Sequence, residues 1–476
     1  MHTDRVTLER VAIRPQWRPA AWAVPSIRTD ALLWAAVAVA TVVAALGFAL
    51  RLGAYDFGRD DAVTVLAANM PLSHLLDLVA HHDANPAAYY VFMHFWPHQT
   101  EVLARLPSYL AAVLVIPATA WLASRLNVSV VAATGLAFSS PFVAYEATEV
   151  RTYALLVLFS ALALLVTWDA ITDRRIPWPV LPALLALSLY FHHFMAFLVL
   201  AALLALWLWA PSRRDARRAA LLVSVLFAPG LIMLGFQLPA MLAMSGGGWQ
   251  HLIRGPEIWK VFRTLFAFRS GSEQARWLAL LVALVAGAGA VVAIRSRAGR
   301  LLMLFGAVQL FPLVPGVFVK MVAPWYVCGA LVPMLLLAAL ALSRPRVLSL
   351  AVLVPVALGL FVIWHNDYGF DGIKPPVRAA LQAVPADVPI LVGRHSLAPS
   401  VALYTQGRLT FALKNPPRVD YVGLWALPPG QPLPLVPRIA VFDLCSADPV
   451  VVSGYIREQQ IVYPGNLCVE LERRVG

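Results

Sequence analysis

Residues 30–50 read DALLWAAVAVATVVAALGFAL, an apolar run in which Asp30 carries the single charge. A helix needs roughly 20 mostly apolar residues to cross a hydrocarbon core of about 30 Å, so this run is long enough to span a bilayer. It follows an arginine-bearing segment and has no obvious cleavage site. We therefore expect a membrane helix here rather than a signal peptide.

The composition of the whole chain agrees with a membrane protein. Of its 476 residues, 60% are hydrophobic and 13% are charged, whereas globular domains have about 45–50% apolar and about 25% charged residues. These figures exclude an ordinary soluble enzyme, a disordered chain and a coiled coil. We predict an α-helical polytopic membrane protein with about eleven transmembrane helices. The predicted spans are 30–50, 107–124, 127–144, 153–171, 177–192, 194–211, 219–236, 277–295, 301–318, 326–342 and 347–364.

The distribution of arginine predicts the orientation of these spans. The net charge is +12, and the N-terminal arm (residues 1–29) and alternate short connections are basic. Because basic loops stay on the cytoplasmic side, we expect this arm in the cytoplasm. Residues 30–365 then form the transmembrane domain of a cytoplasmic (inner) membrane protein. Topology explains the basic residues without a nucleic-acid partner.

Residues 366–476, on the opposite side, differ in composition from the spans. Two apolar runs, 388–392 and 438–442, are typical of strands, and Pro376 could open a helix. We predict a small extracytoplasmic α/β domain. Cys445 and Cys468 both lie in it, and an oxidising compartment would permit a disulfide between them.

The long segments on the predicted outer side carry most of the reactive side chains. In the first, loop 51–106, Asp60 and Asp61 follow the first span. Such a pair can divide the work, one carboxylate taking a proton while the other orients it or holds a cation. The alternative is a solvated helix N-terminus, where Asp is common.

Other charged and aromatic groups lie at outer span ends. Glu149 and Arg151 stand between two apolar spans and predict a partly buried ion pair or an anion site, since an Arg fork matches phosphate oxygens. His192 and His193 are adjacent, so their side chains diverge and they do not form a metal site alone. In the loop 237–276, basic and aromatic residues alternate, which suits anionic lipid headgroups.

The order of these features resembles a known class. The acidic pair comes first, then Asn85-Pro-x-x-Tyr89-Tyr90, then Arg105-Leu-Pro-Ser108, Glu149-x-Arg151-x-Tyr153 and Tyr190-x-His192-His193. Across residues 30–200 the chain resembles the GT-C membrane glycosyltransferases, specifically the bacterial relatives of protein O-mannosyltransferases and aminoarabinose transferase. Two positions depart from the pattern: the usual Pro-Pro is Pro86-Ala87, and an Arg-Tyr pair is Trp325-Tyr326.

The resemblance implies an inverting transferase that uses a polyprenyl-phosphate sugar on the outer side. Asp60 and Asp61 would be the catalytic carboxylates, with Asp60 as base or acceptor ligand, and Arg151, His193 and Lys320 would neutralise the leaving phosphate. The residues expected to bind substrate are His82, Asp83, Asn85, Tyr89, Glu149 and Tyr153.

The resemblance leaves the sugar open between hexoses and pentoses, mannose among them. The acceptor could be a glycolipid, a polysaccharide or a protein. Some relatives use a divalent cation, but the sequence shows no dedicated ligand set for a metal.

Two other functions fit a polytopic chain. A transporter or lipid-carrier flippase is expected to have ionisable residues at mid-span and two related halves. Here the charges cluster at outer span ends, and the loop 51–106 pattern has no second copy. A noncatalytic scaffold with the same fold is the other alternative, because Trp325 replaces a phosphate-binding cation.

Overall fold

The computed structural model describes residues 27–475 with gaps at 84, 86, 173–174, 245–251, 253–254, 269–271, 319–322, 344–350, 366–373, 375, 394–396, 406–409, 413–435, 446–451, 453 and 464–466. Nearly all of the predicted cytoplasmic arm lies outside the described residues, and so does Lys320.

Helices make up most of the described chain. In order they are α1 (Ile27–Leu52), α2 (Arg59–Ala68), α3 (Leu72–His81), α4 (Ala87–Phe95), α5 (Glu101–Arg125), α6 (Val130–Phe138), α7 (Pro141–Glu146), α8 (Tyr153–Ile171), α9 (Val180–Phe191), α10 (Met195–Trp209), α11 (Arg213–Met244), α12 (Pro256–Ala267), α13 (Glu273–Ala293), α14 (Arg297–Leu310), α15 (Leu313–Gly316), a 3-10 helix (Pro324–Ala330), α16 (Leu331–Ala341), α17 (Leu353–His365), α18 (Val377–Gln382) and α19 (Ala398–Thr405).

Seven helical segments among the described residues are long and apolar enough to cross a membrane. They are Ala31–Leu52, Glu101–Arg125, Tyr153–Ile171, Arg213–Pro239, Glu273–Ala293, Arg297–Gly316 and Pro324–Ala341. Helices α9, α10 and α17 are shorter but also apolar. The helical multi-pass membrane class is confirmed, whereas the number of eleven spans stays a prediction.

The apolar stretch 127–144, predicted as one span, forms two short helices instead. Helix α6 ends at Phe138, and α7 begins at Pro141. The Ser140 hydroxyl caps α7 by accepting from the Val143 N–H, and Pro141 has no N–H to continue the preceding helix. The break directs the chain through residues 147–152 before α8 begins.

Loop 51–106 folds into α2, α3 and α4. The spacing of apolar residues between Val63 and Val79 predicts an amphipathic helix on the membrane surface, but α2 is buried from Asp61 to Ala68. Helix α19 of the tail packs against α2, with Leu403 and Tyr404 beside its apolar residues. The tail therefore covers part of this loop.

The tail contains the predicted α/β structure. Its strands are β1 (Ile390–Val392), β2 (Thr410–Ala412), β3 (Arg438–Leu444), β4 (Tyr455–Tyr463) and β5 (Leu467–Arg474). The sheet order is β2-β1-β3-β5-β4, parallel in the first three strands and antiparallel at β5 and β4. Residues of α18 and α19 share one apolar core with the sheet. Cys445 and Cys468 are joined in a disulfide, and Cys328 is a buried free thiol.

Candidate functional site

The two adjacent aspartates of α2 lie in opposite environments. Consecutive residues of a helix point roughly 100° apart, so one of the pair can face solvent while the other faces the core. The Asp60 side chain is 61% exposed, and its Oδ1 lies 3.2 Å from Nη2 of Arg151. The Asp61 side chain is completely buried. The predicted pair is therefore one accessible carboxylate and one enclosed carboxylate.

Asp61 belongs to a buried cluster of four charges, formed with Glu149, Arg105 and Lys374. The Arg105 Nη2 lies 3.2 Å from Asp61 Oδ2, and the Lys374 Nζ lies 3.8 Å from the same oxygen. Lys374 is closer to Glu149, at 2.6 Å. Two carboxylates and two cations thus balance where an isolated charge would be strongly disfavoured. We call these four residues the charge cluster.

The pKa values of the two acids of the cluster are shifted in opposite directions. Burial acts to raise the pKa of Asp61, but the positive charges of Lys374 and Arg105 hold that pKa below its usual value. For Glu149, burial and the negative charge of Asp61 raise the pKa to about 7. Because both carboxylates already face cations, the cluster does not fit a divalent metal ion. Elsewhere in the described residues, no group of three or more His, Cys, Asp or Glu side chains is placed to hold one.

Arg105 fixes the chain that leads into α2. Its guanidinium donates to the carbonyl oxygens of Leu52, Tyr55 and Asp56, at distances of 2.7, 2.8 and 3.0 Å. A completely buried arginine with this many acceptors holds the turn between α1 and α2 in one conformation. The position of Asp60 at the start of α2 follows from that turn.

The segment 148–152 is held on both sides. The Val150 N–H donates to Asp61 Oδ1 at 2.7 Å, and the Ser108 hydroxyl donates to the Arg151 carbonyl at 2.7 Å. The Lys374 ammonium donates to the Thr148 carbonyl at 2.6 Å. These three contacts fix the backbone from which the Arg151 side chain extends toward Asp60.

Arg151 lines a small, partly open cleft. The structure brings together four of the predicted site residues here: Asn85, Tyr89, Arg151 and Tyr153. The other lining residues are Tyr90, Thr152, Phe191 and His192. One guanidinium amid several aromatic rings suits a ligand with a charged group and an apolar or ring-shaped part.

His192, rather than the predicted His193, lines the cleft. Helix α9 ends at Phe191, and His192 has an extended backbone (φ −164°, ψ 132°), which turns its ring back toward the site. The ring centroid lies 5.8 Å from that of Tyr153 and 5.2 Å from that of Tyr326. His193 is half-buried and is not among the lining residues.

Asp83 and Asn85 shape one wall of the cleft. Asp83 is buried and accepts from the Asn85 N–H, the Asn85 amide and the Tyr90 hydroxyl, at 2.9, 2.8 and 2.9 Å. Burial raises the pKa of Asp83 above its usual value. Gln237 of α11 donates to the carbonyl of Asn85 at 2.8 Å and so supports the same wall. The predicted substrate-binding residue His82 is exposed, and its Nε2 lies 3.9 Å from Oδ2 of Asp77.

Three contacts of the tail escaped the sequence analysis. Lys374 enters the charge cluster, Arg378 pairs with Asp56 and Glu101, and the Tyr404 hydroxyl donates to Glu101 at 2.8 Å. A lone lysine or arginine in a mixed segment gives no signal of its partner in sequence. The apolar run of a helix is a local pattern, but these pairs join residues hundreds of positions apart.

Comparison with solved structures finds the same architecture in ArnT from Cupriavidus metallidurans. The apo crystal structure matches with a TM-score of 0.56 at 12% identity, covering 94% of this chain and 98% of that chain. The structure bound to undecaprenyl phosphate matches with a TM-score of 0.50 at 12% identity, covering 93% and 98%. No family model and no curated protein sequence matches the chain. Over nearly its whole length, the chain has the fold of a GT-C membrane glycosyltransferase.

Proposed function

We propose that the protein is an inverting glycosyltransferase that moves a sugar from a polyprenyl-phosphate donor to a cell-envelope acceptor. The observation that carries the proposal is the ion pair of the exposed Asp60 with Arg151 at an aromatic cleft. A base and a phosphate-binding cation are the two groups that such a transfer needs. ArnT, the neighbour in fold, is bound to undecaprenyl phosphate in one of its structures.

Asp60 is the proposed general base. Its carboxylate takes the proton of an acceptor hydroxyl as the hydroxyl oxygen attacks the anomeric carbon. The bond from that carbon to the phosphate oxygen breaks on the opposite face, and the configuration inverts. Its exposure gives Asp60 access to an acceptor, whereas the enclosed Asp61 has no such access. We therefore assign Asp61 to the support of the site.

Arg151 is the proposed ligand of the leaving phosphate. A lipid phosphate departs as an anion, so it requires positive charge rather than a proton donor. In the free protein, Arg151 pairs with Asp60. When the donor binds, its phosphate displaces the carboxylate from the guanidinium, and Asp60 becomes available to the acceptor. His192, Tyr153 and Tyr89 are proposed to surround the sugar and its phosphate, and Lys320 remains a proposed second cation.

The contacts of the tail support an outer-face reaction. Arg378 and Tyr404 of the tail bind Asp56 and Glu101 of loop 51–106, so these two parts lie on one side of the membrane. The arginine bias predicts that the opposite side faces the cytoplasm. We therefore propose the outer face of the cytoplasmic membrane as the place of transfer, with the sugar a hexose or pentose and the acceptor a glycolipid, polysaccharide or protein.

The test is transfer from a radiolabelled polyprenyl-phosphate sugar by the full-length protein in proteoliposomes. We expect labelled acceptor with the wild type and with Asp77→Asn, and transfer about 10²- to 10⁴-fold slower with Asp60→Asn. Asp77 is the matched control because it is an exposed aspartate of the same loop that contacts His81 at the surface. Movement of the lipid across the bilayer without transfer of sugar would instead identify a flippase.

A further inference from the structure

We propose that Lys374 is a positioning residue for the donor-phosphate site, holding segment 148–152 so that Arg151 faces the cleft. This inference rests on the proposed function, because it names what keeps the proposed phosphate ligand in place. Its side chain is completely buried and pairs with Asp61 and Glu149, so we place Lys374 behind the site rather than in contact with a substrate.

The ammonium of Lys374 contacts two consecutive residues of segment 148–152, Thr148 and Glu149. Its Nζ lies 2.6 Å from the Thr148 carbonyl oxygen, 3.3 Å from the Thr148 hydroxyl and 2.6 Å from Glu149. An ammonium has three N–H donors; the two contacts with Thr148 are hydrogen bonds, and the contact with Glu149 is an ion pair. Thr148 and Glu149 lie just before Arg151 in the sequence, so their positions constrain the backbone of Arg151.

Removing the lysine charge would disturb that segment directly. Asp61 and Glu149 would then face Arg105 alone, and one buried negative charge would be left without a cation. Glu149 must then take up a proton or move toward water. Because Glu149 is two positions from Arg151, a movement of Glu149 also displaces Arg151, the proposed ligand of the donor phosphate. The Thr148 carbonyl also loses its donor.

The position of Lys374 in the chain makes this more than a local ion pair. It lies just before α18 and is 226 residues from Thr148. The other cluster cation, Arg105, comes from α5 and holds the turn before α2. One cation therefore supports Asp60 and the other supports Arg151. The tail thus supplies part of the frame of the site.

The experiment measures binding of undecaprenyl phosphate to the full-length protein in detergent. We compare Glu149→Gln with the double variant Glu149→Gln plus Lys374→Met, together with Lys374→Met alone. In the double variant the cluster keeps one cation, Arg105, and one carboxylate, Asp61. The cluster is again neutral, so the variant is expected to fold. We expect the double variant to bind about 10- to 100-fold more weakly than Glu149→Gln, the loss typical when a residue that orients a ligating side chain is removed.

Arg378→Met is the matched control, because it removes another tail cation that does not touch segment 148–152. Its affinity should stay near that of the wild type, and thermal unfolding reports whether each variant is folded. Equal affinities of Glu149→Gln and the double variant would overturn the role of Lys374. So would an equally weak Arg378→Met, since general docking of the tail would then explain the loss. Failure of the wild type itself to bind the lipid would instead contradict the proposed function.

Discussion

The Asp60–Arg151 pair and the charge cluster use the same chemistry in opposite ways. Asp60 is 61% exposed and its partner Arg151 is 16% exposed, whereas Asp61 and the two cations beside it are completely enclosed. An ion pair open to water contributes little to stability, and its members exchange partners readily. A buried pair cannot lose one member without leaving a costly charge. The first is therefore suited to chemistry and the second to support.

The largest effect should come from Asp60→Asn. The amide keeps the volume of the side chain but cannot take a proton, so we expect the transfer rate to fall by about 10²- to 10⁴-fold. Stability should change by only about 1 kcal/mol, because the Asp60 carboxylate is 61% exposed to water. Transfer kinetics and thermal unfolding of the same preparation measure both. A near-normal rate would remove Asp60 from the role of base.

Asp61→Asn should lower the stability of the protein much more than Asp60→Asn does. Asn keeps the acceptor for the Val150 N–H but removes the negative charge between Arg105 and Lys374. We expect a loss of about 3–5 kcal/mol of stability, seen as a lower unfolding temperature. Asp77→Asn, at the exposed surface of the same loop, should change stability by only about 0.5 kcal/mol. An unchanged unfolding temperature for Asp61→Asn would mean that the cluster does not need its charge.

A smaller effect should appear as a pH dependence of stability. The folded pKa of Glu149 is about 7 against an ordinary 4.5, so the folded protein binds more protons between these values. The favourable contribution is complete below about pH 4.5 and is lost as the pH rises through 7, up to about 3 kcal/mol in all. Asp61, with its lowered pKa, acts in the opposite sense at a more acidic pH.

Unfolding temperatures between pH 5 and pH 8 check this dependence. The wild type should lose stability across that range, and Glu149→Gln should lose much less because its amide does not titrate. Equal slopes in the two proteins would assign the titration to another group.

Local patterns explain what the sequence could predict. The apolar runs, the arginine bias, and the positions of Asp60 and Arg151 at span ends can all be recognised in one stretch of chain. The two apolar runs, 388–392 and 438–442, likewise predicted strands in the tail, and β1 and β3 form there. That Asp60 and Arg151 should lie at one site was implied by the family resemblance rather than by these patterns.

The sequence was least informative where side-chain direction or long-range pairing decides the arrangement. Which of two adjacent aspartates faces water depends on where α2 begins, and which of two histidines lines the cleft depends on where α9 ends. The break between α6 and α7 needed the cap at Ser140 to be recognised. The partners of Lys374 could not be derived, because its burial depends on how the tail docks.

Arg378→Met should give the smallest effect and sharpen the contrast between the two kinds of ion pair. Arg378 is 47% exposed while it pairs with Asp56 and Glu101, so its ion pairs resemble the exposed pair of Asp60. These ion pairs also join the tail to loop 51–106. We expect a loss of about 0.5–1 kcal/mol that shrinks in high salt, since water and ions screen an exposed pair. Thermal unfolding at low and high salt measures it. A loss of several kcal/mol, insensitive to salt, would place Arg378 with the enclosed charges and show that docking of the tail excludes water from this contact.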